Sequence, residues 1–150
     1  MNISWTFKNF PELNIFELYE MLQLRQKIFI IEQQDIYLDI DDKDINAIHI
    51  LGKMNNKITA YARILLPTDT KHTISFGRVI VDKTHRGKNL GKLLIQKILD
   101  YLANSPYKNH TICISAQMYL QKFYEAFGFK VTSDMYVDGT IPHVDMVWER

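Results

Sequence analysis

The sequence predicts an α/β protein built on a mixed sheet, and three observations carry that prediction. Short strand-like segments occur at both ends of the chain and alternate with segments of helical spacing. At Arg86-Gly87 the apolar period switches abruptly from strand-like to helical. No Pro/Gly/Ser linker, internal repeat or low-complexity tract divides the 150 residues, a length that suits one domain spanning 1–150. The 47% hydrophobic and 23% charged content is that of a globular protein.

Ile3–Lys8 alternate as a short strand. Pro11 precedes a helix with Leu13, Phe16, Tyr19 and Met21 or Leu22 at helical spacing, expected to reach about Ile28. An acidic run around Asp35–Asp44 reads as a solvated loop, with attraction of a cationic amine as the alternative; as a calcium loop it fails, having no glycine at the sixth position and Ile50 where the bidentate Glu belongs. His49–Met54 and Lys57–Leu65 form a hairpin turning at Asn55-Asn56, and Thr73–Asp82 is the next strand. Leu90, Leu93, Leu94, Ile98 and Tyr101 or Leu102 line one face of a helix that ends before Asn104-Ser105-Pro106. Thr111–Ser115 reads as a short strand buried on both faces. Tyr119, Leu120, Phe123, Tyr124 and Phe127 form a second helical stripe stopped by Gly128. Phe129–Val137 and Val144–Trp148 are two last strands, joined by a loop from Asp138 to His143.

Net charge is +1, so no global field favours nucleic acid or an anionic membrane. Charge is unevenly placed. Residues 83–97 hold Lys83, Arg86, Lys88, Lys92 and Lys97 without an acid, a cluster suited to a small anionic ligand. This stretch lacks the interleaved aromatics of a nucleic-acid surface. One cysteine, Cys113, allows no intramolecular disulfide and reads as a small buried strand residue; the scattered histidines give no zinc spacing. No secretory signal or membrane-spanning apolar run is visible, so a cytoplasmic protein without metal is the expectation.

The central constellation is Val79–Gly91. An apolar strand enters a loop with Gly87 and Gly91, basic residues flank it, and an amphipathic helix begins at once. A helix start of this kind offers unpaired N–H groups and a positive dipole end to phosphate. The stricter motifs G-x-x-x-x-G-K-[ST] and G-x-G-x-x-G are absent, and the alternative is an ordinary strand-to-helix turn with solvated lysines.

Arg86-Gly87-Lys88-Asn89-Leu90-Gly91 resembles the pyrophosphate loop Q/R-x-x-G-x-G/A of the GNAT (Gcn5-related N-acetyltransferase) superfamily. Asn89 stands where the family usually has glycine, and Asn tolerates the left-handed conformation best among the other residues. Phe123–Phe129 resembles the family's Y-x-x-x-G-F motif, and Arg25–Gln33 with Asp138–His143 resemble the ElaA branch, a group of small bacterial GNAT proteins. The resemblance covers nearly the whole chain. It implies a GNAT fold, with a central, mostly antiparallel mixed sheet flanked by helices on both faces.

The resemblance also implies acetyl-CoA as co-substrate. Backbone groups of the strand Val79-Ile80-Val81 would pair with the pantetheine arm, and Arg86, Gly87, Lys88, Asn89, Leu90, Gly91 and Lys92 would surround the pyrophosphate. Gln117, seven residues before Tyr124, stands where many relatives place a cofactor-contacting Asn, and Tyr124 stands at the usual general acid. A phenol there can protonate the departing sulfur while a strand N–H such as that of Val81 stabilises the oxyanion.

Family carboxylates used as bases fall at Ser75 and Ile112, which cannot take a proton. Glu32, His143 and His49 are the substitutes, with a water relay as a further route. Glu32 follows four apolar residues and can otherwise pair with Arg25 or Arg63; His143 sits in the late loop; His49 reads as a strand-edge residue. Arg78, on the face expected to hold Phe76 and Ile80, either binds an acceptor carboxylate beside Glu32 and His143 or pairs internally with Glu32 or an acidic-loop aspartate.

The expectation is therefore transfer of an acetyl or similarly short acyl group to a primary amine by direct attack in a ternary complex. The acceptor is a small-molecule or peptide amine, and the protein a monomer or homodimer. The rival is a non-catalytic acyl-CoA-binding or sensing module.

Overall fold

The computed structural model describes residues 2–149. Its strands are β1 (Ser4–Asn9), β2 (Ala47–Met54), β3 (Lys57–Leu65), β4 (Ser75–Val81), β5 (Cys113–Gln117), β6 (Phe129–Val131), β7 (Tyr136–Asp138) and β8 (Ile141–Trp148). Its α-helices are α1 (Ile15–Arg25), α2 (Leu90–Ala103) and α3 (Gln121–Glu125). The strands form two antiparallel halves, β1-β2-β3-β4 and β5-β8-β6, with β7 also on β8. A parallel bridge between Ile74 and Ile112 joins the halves, through Ile74 N–H to Thr111 O at 2.9 Å and Cys113 N–H to Ile74 O at 2.8 Å. β4 and β5 part beyond that bridge, and the wedge between them is the main cleft.

Helices cover both faces. Ile95, Ile98 and Leu102 of α2 pack with Ile50, Ala62 and Ile64 in one core, whereas Met21 and Leu24 of α1 pack with Leu51, Tyr61 and Ile80 in the other. The alternation of β2 and β3 divides their side chains between these cores. The hairpin between them turns at Asn55 (φ +51°) and Asn56 (φ +63°), the left-handed pair that a tight turn requires.

The first helix extends differently from expectation. α1 starts at Asn14, whose side chain accepts the Glu17 N–H at 2.8 Å, while Pro11 lies in a preceding 3₁₀ turn. After Arg25 the chain continues as a π-helix over Gln26–Glu32, a rare winding that delivers Gln33 to the cleft.

Four further features of the strands differ from expectation. β5 is buried on one face only: Ile114 and Ala116 are covered and Ser115 is exposed. The predicted strand 129–137 is broken, because the Ser133 hydroxyl accepts the Asp145 N–H at 2.9 Å and interrupts the ladder. The 138–143 connection is a tight turn at Gly139 (φ +65°), so His143 lies on β8, between Gln117 and Tyr136. β4 carries a bulge, with Arg78 at φ +50°, and this inverts its alternation: Phe76 joins the α2 core while Ile80 joins the α1 core.

Candidate active site

The cleft between β4 and β5 has a volume of about 450 Å³ and includes Gly77, Arg78 and Val79 on one wall and Ser115, Ala116 and Gln117 on the other. Tyr124 lies at its floor and is 5% exposed. Phe76, Phe123 and Phe129 surround its ring at centroid distances of 6.3, 5.1 and 5.8 Å. Burial pushes the phenol above its ordinary range, so it keeps its proton at neutral pH. Its hydroxyl makes no hydrogen bond among the described residues, which leaves the donor for a ligand.

The open edge of β4 follows from its pairing. The Asp82 N–H donates to Thr59 O at 2.8 Å across to β3, so the neighbouring amide and carbonyl of Val81 point away from β3. The Val81 carbonyl accepts Arg86 Nε at 3.0 Å, and Arg86 also pairs with Glu32 at 2.9 Å. Arg86 therefore folds back along the strand. Gly87 adopts φ +82° with no atom within 4 Å of a Cβ placed there, and Asn89 takes φ +61° as the N-terminal cap of α2. The asparagine thus holds the left-handed position that glycine usually fills in such loops. Lys88 and Lys92 are exposed beside it, and Leu90 is buried beneath.

His143 is the better placed of the candidate bases. Its Nδ1–H donates to Ile141 O at 2.8 Å, because a carbonyl can only accept; the neutral ring therefore carries its lone pair on Nε2. It lines the cleft and stacks on Tyr136 at 6.0 Å. Glu32 does not line the cleft, and its partner is Arg86 rather than Arg25 or Arg63. His49 is not at a strand edge. β2 is an interior strand, and His49 is sealed at 0% exposure between Tyr61 Oη (2.7 Å) and Asp44 O (2.8 Å). Burial holds its pKa below the ordinary histidine value. Gln117 exchanges amide hydrogen bonds with Gln33 at 3.2 and 3.5 Å across the cleft mouth.

Asp39, Asp41 and Asp44 of the acidic run are paired rather than solvated, and Asp42 alone of its aspartates is exposed. Arg25, itself 0% exposed, binds Asp39 at 2.9 Å and Asp44 at 2.8 Å; Arg63 binds Asp41 at 2.6 Å and Asp44 at 2.9 Å. Arg78 completes the network through Asp39 at 2.8 Å and Asp41 at 3.4 Å, so it takes the internal pairing. Burial alone would raise the Asp44 carboxyl, but Arg25 and Arg63 outweigh it and hold it below the usual carboxylate range. Three arginines in otherwise apolar segments were the signal for this network, since each needs a counter-charge. Cys113 is half-buried. Among the described residues no group of three or more His, Cys, Asp and Glu could hold a metal, and no helix is long and apolar enough to cross a membrane.

The family model described as an acetyltransferase (GNAT) domain matches residues 22–150. Protein ElaA of Escherichia coli K12 is 38% identical over 149 residues, covering 98% of this chain and 97% of that protein. Its crystal structure superposes with a TM-score of 0.91 at 36% identity, over 99% of this chain and 100% of that one. An acyl-CoA N-acyltransferase from Pseudomonas aeruginosa superposes with a TM-score of 0.93 at 30% identity, over the same shares.

Proposed function

The chain belongs to the GNAT acetyltransferase family, in its ElaA-like branch, and on that premise we propose that it transfers an acetyl or similarly short acyl group from CoA to a primary amine. The observation that carries the reading is Tyr124: a buried, protonated phenol with a free hydroxyl, at the floor of the wedge beside the open edge of β4.

The residues present fit the cofactor. Gly87 and Asn89 give the loop its left-handed turns without a side chain crowding Gly87, and the 14-residue helix α2 directs its N-terminus at that loop. The backbone of Val79 and Val81 offers an unpaired strand edge to the pantetheine amides, with Gln117 on the opposite wall. Arg86 would exchange Val81 O and Glu32 for the pyrophosphate. When bound, acyl-CoA supplies the activated thioester.

The chain's own groups then move protons. The acceptor amine attacks the carbonyl carbon, a C–N bond forms and the C–S bond breaks. His143 Nε2 takes the proton lost by the amine nitrogen, and the Tyr124 hydroxyl gives its proton to the departing sulfur. A β4 N–H facing the cleft stabilises the charge that develops on oxygen.

The test is thiol release from acetyl-CoA against a panel of amines, amino acids, polyamines and peptide N-termini, for wild type and Tyr124→Phe. Turnover should fall about a hundredfold or more in the variant while CoA affinity holds. Unchanged turnover would remove Tyr124 as the acid. CoA binding with no turnover on any acceptor would support the sensing module instead.

A further inference from the structure

The two arginines on the cleft wall have no charge to spare. Arg63 and Arg78, with Arg25 behind them, face Asp39, Asp41 and Asp44, three guanidiniums to three carboxylates. An acceptor carboxylate would have to displace one of these pairs.

Asp35 is different. It lines the same cleft as Tyr124 and His143 and is only 6% exposed, yet no ion pair joins it to a cation among the described residues. Its seat is built. Oδ1 accepts both the N–H and the hydroxyl of Thr140, each at 3.0 Å. Gly139 packs so tightly that a Cβ there would lie 2.5 Å from Oδ1 and 2.6 Å from Oδ2. Both hydrogen bonds fall on Oδ1, so Oδ2 is left for a ligand. A buried carboxylate without a counter-ion is costly, and a cation arriving from the cleft relieves that cost. Lys43 and Lys71 also line the cleft, but both are exposed and their charge is screened by solvent.

We propose that Asp35 anchors a second, non-reacting ammonium of the acceptor, and that the acceptor class is a short aliphatic diamine or polyamine. The inference rests on the acyltransferase reading given above. The reacting nitrogen must be neutral to attack, and a carboxylate beside it would hold it protonated. A fixed carboxylate instead suits a group that stays charged throughout the reaction. His143 serves the reacting nitrogen, and Asp35 holds the far end of the molecule through a charge-assisted hydrogen bond.

The experiment compares putrescine with n-butylamine, which has the same carbon chain and one ammonium fewer. Wild type should use putrescine with a kcat/KM about tenfold or more above that for n-butylamine. Asp35→Asn keeps an oxygen for both Thr140 bonds and loses only the charge. It should raise the putrescine KM to the n-butylamine level and leave n-butylamine unchanged. Thr140→Val keeps the carboxylate and should keep the preference.

Calorimetric titration of both amines into CoA-loaded protein makes the same comparison without chemistry. Putrescine binding that needs Asp35, with no turnover on any amine, would sink the acyltransferase reading and leave the anchor standing. Equal use and equal binding of the two amines by wild type would overturn the anchor, whether or not the variant folds. Loss of both amines alike in Asp35→Asn would assign the residue a merely structural role.

Discussion

Glu17 joins three elements at one carboxylate, and Glu17→Gln isolates the charge of that junction. Its oxygens accept Lys8 Nζ from β1 at 2.9 Å, Lys53 Nζ from β2 at 2.8 Å and the Asn14 N–H at 3.1 Å. Burial raises its pKa, but the bonds from Lys53, Lys8 and Asn14 outweigh that and lower it from 4.5 to about 2. Its folded pKa is depressed, so the stabilisation is complete above the unfolded value and drains away as pH falls from 4.5 towards 2. The displacement corresponds to about 3 kcal/mol at pH 7, shrinking to about 1.4 kcal/mol at pH 3. Glutamine mimics the protonated acid in shape. Urea unfolding of wild type and Glu17→Gln should therefore give a stability gap that narrows by more than half between pH 7 and pH 3. A gap of constant size would refute the electrostatic account and place the loss in packing. No gap at pH 7 would mean that solvent already screens the two lysines, which are 28% and 23% exposed.

Two further perturbations follow from the buried network and the late turn. Arg25→Met should cost about 3–5 kcal/mol in denaturant unfolding, because Asp39 and Asp44 stay buried with less counter-charge. Gly139→Ala combines φ +65° with a 2.5 Å approach to Asp35 Oδ1, so it should lower Tm and destabilise the protein by about 1–3 kcal/mol. Its acceptor KM should rise with CoA affinity unchanged, since the displaced group is Asp35 and not the α2 loop.

Most element types and the helix start at Leu90 were legible in the sequence because each depends on local period and local turn chemistry; the break within 129–137 and the π-helical run after Arg25 were not. Asn55-Asn56 announced a tight turn, and Asn89 was readable as tolerating the left-handed conformation, whereas its place as the N-terminal cap of α2 came from the structure. Tyr124 was legible through its motif. Its free hydroxyl was not, since that depends on how Phe76 of β4, 48 positions away, and the nearby Phe123 and Phe129 pack around the ring.

The acidic run shows the limit most clearly. Asp35, Tyr37, Asp39 and Asp41 alternate with Ile36, Leu38 and Ile40, a pattern that ordinarily turns its aliphatic side inward. Here Asp39 and Asp41 turn in and Ile36 is 91% exposed, because Arg25, Arg63 and Arg78 converge beneath the loop from three different elements. The bulge at Arg78 is a similar case: the sequence has no glycine at that left-handed position, and the misplaced face assignment of Ile80 follows directly from it.

The family, most of the elements and the glycine-containing loop before α2 follow from contiguous residues, because motif, period and turn chemistry are local. The tertiary structure alone decided which candidates share the cleft. It placed His143 on β8 within the cleft, sealed His49 in the sheet, tied Glu32 to Arg86 and left Asp35 without a cation among the described residues. Hydrogen bonding and burial join residues up to 105 positions apart, as at Asp35 and Thr140, and no local pattern encodes which polar group will find its partner.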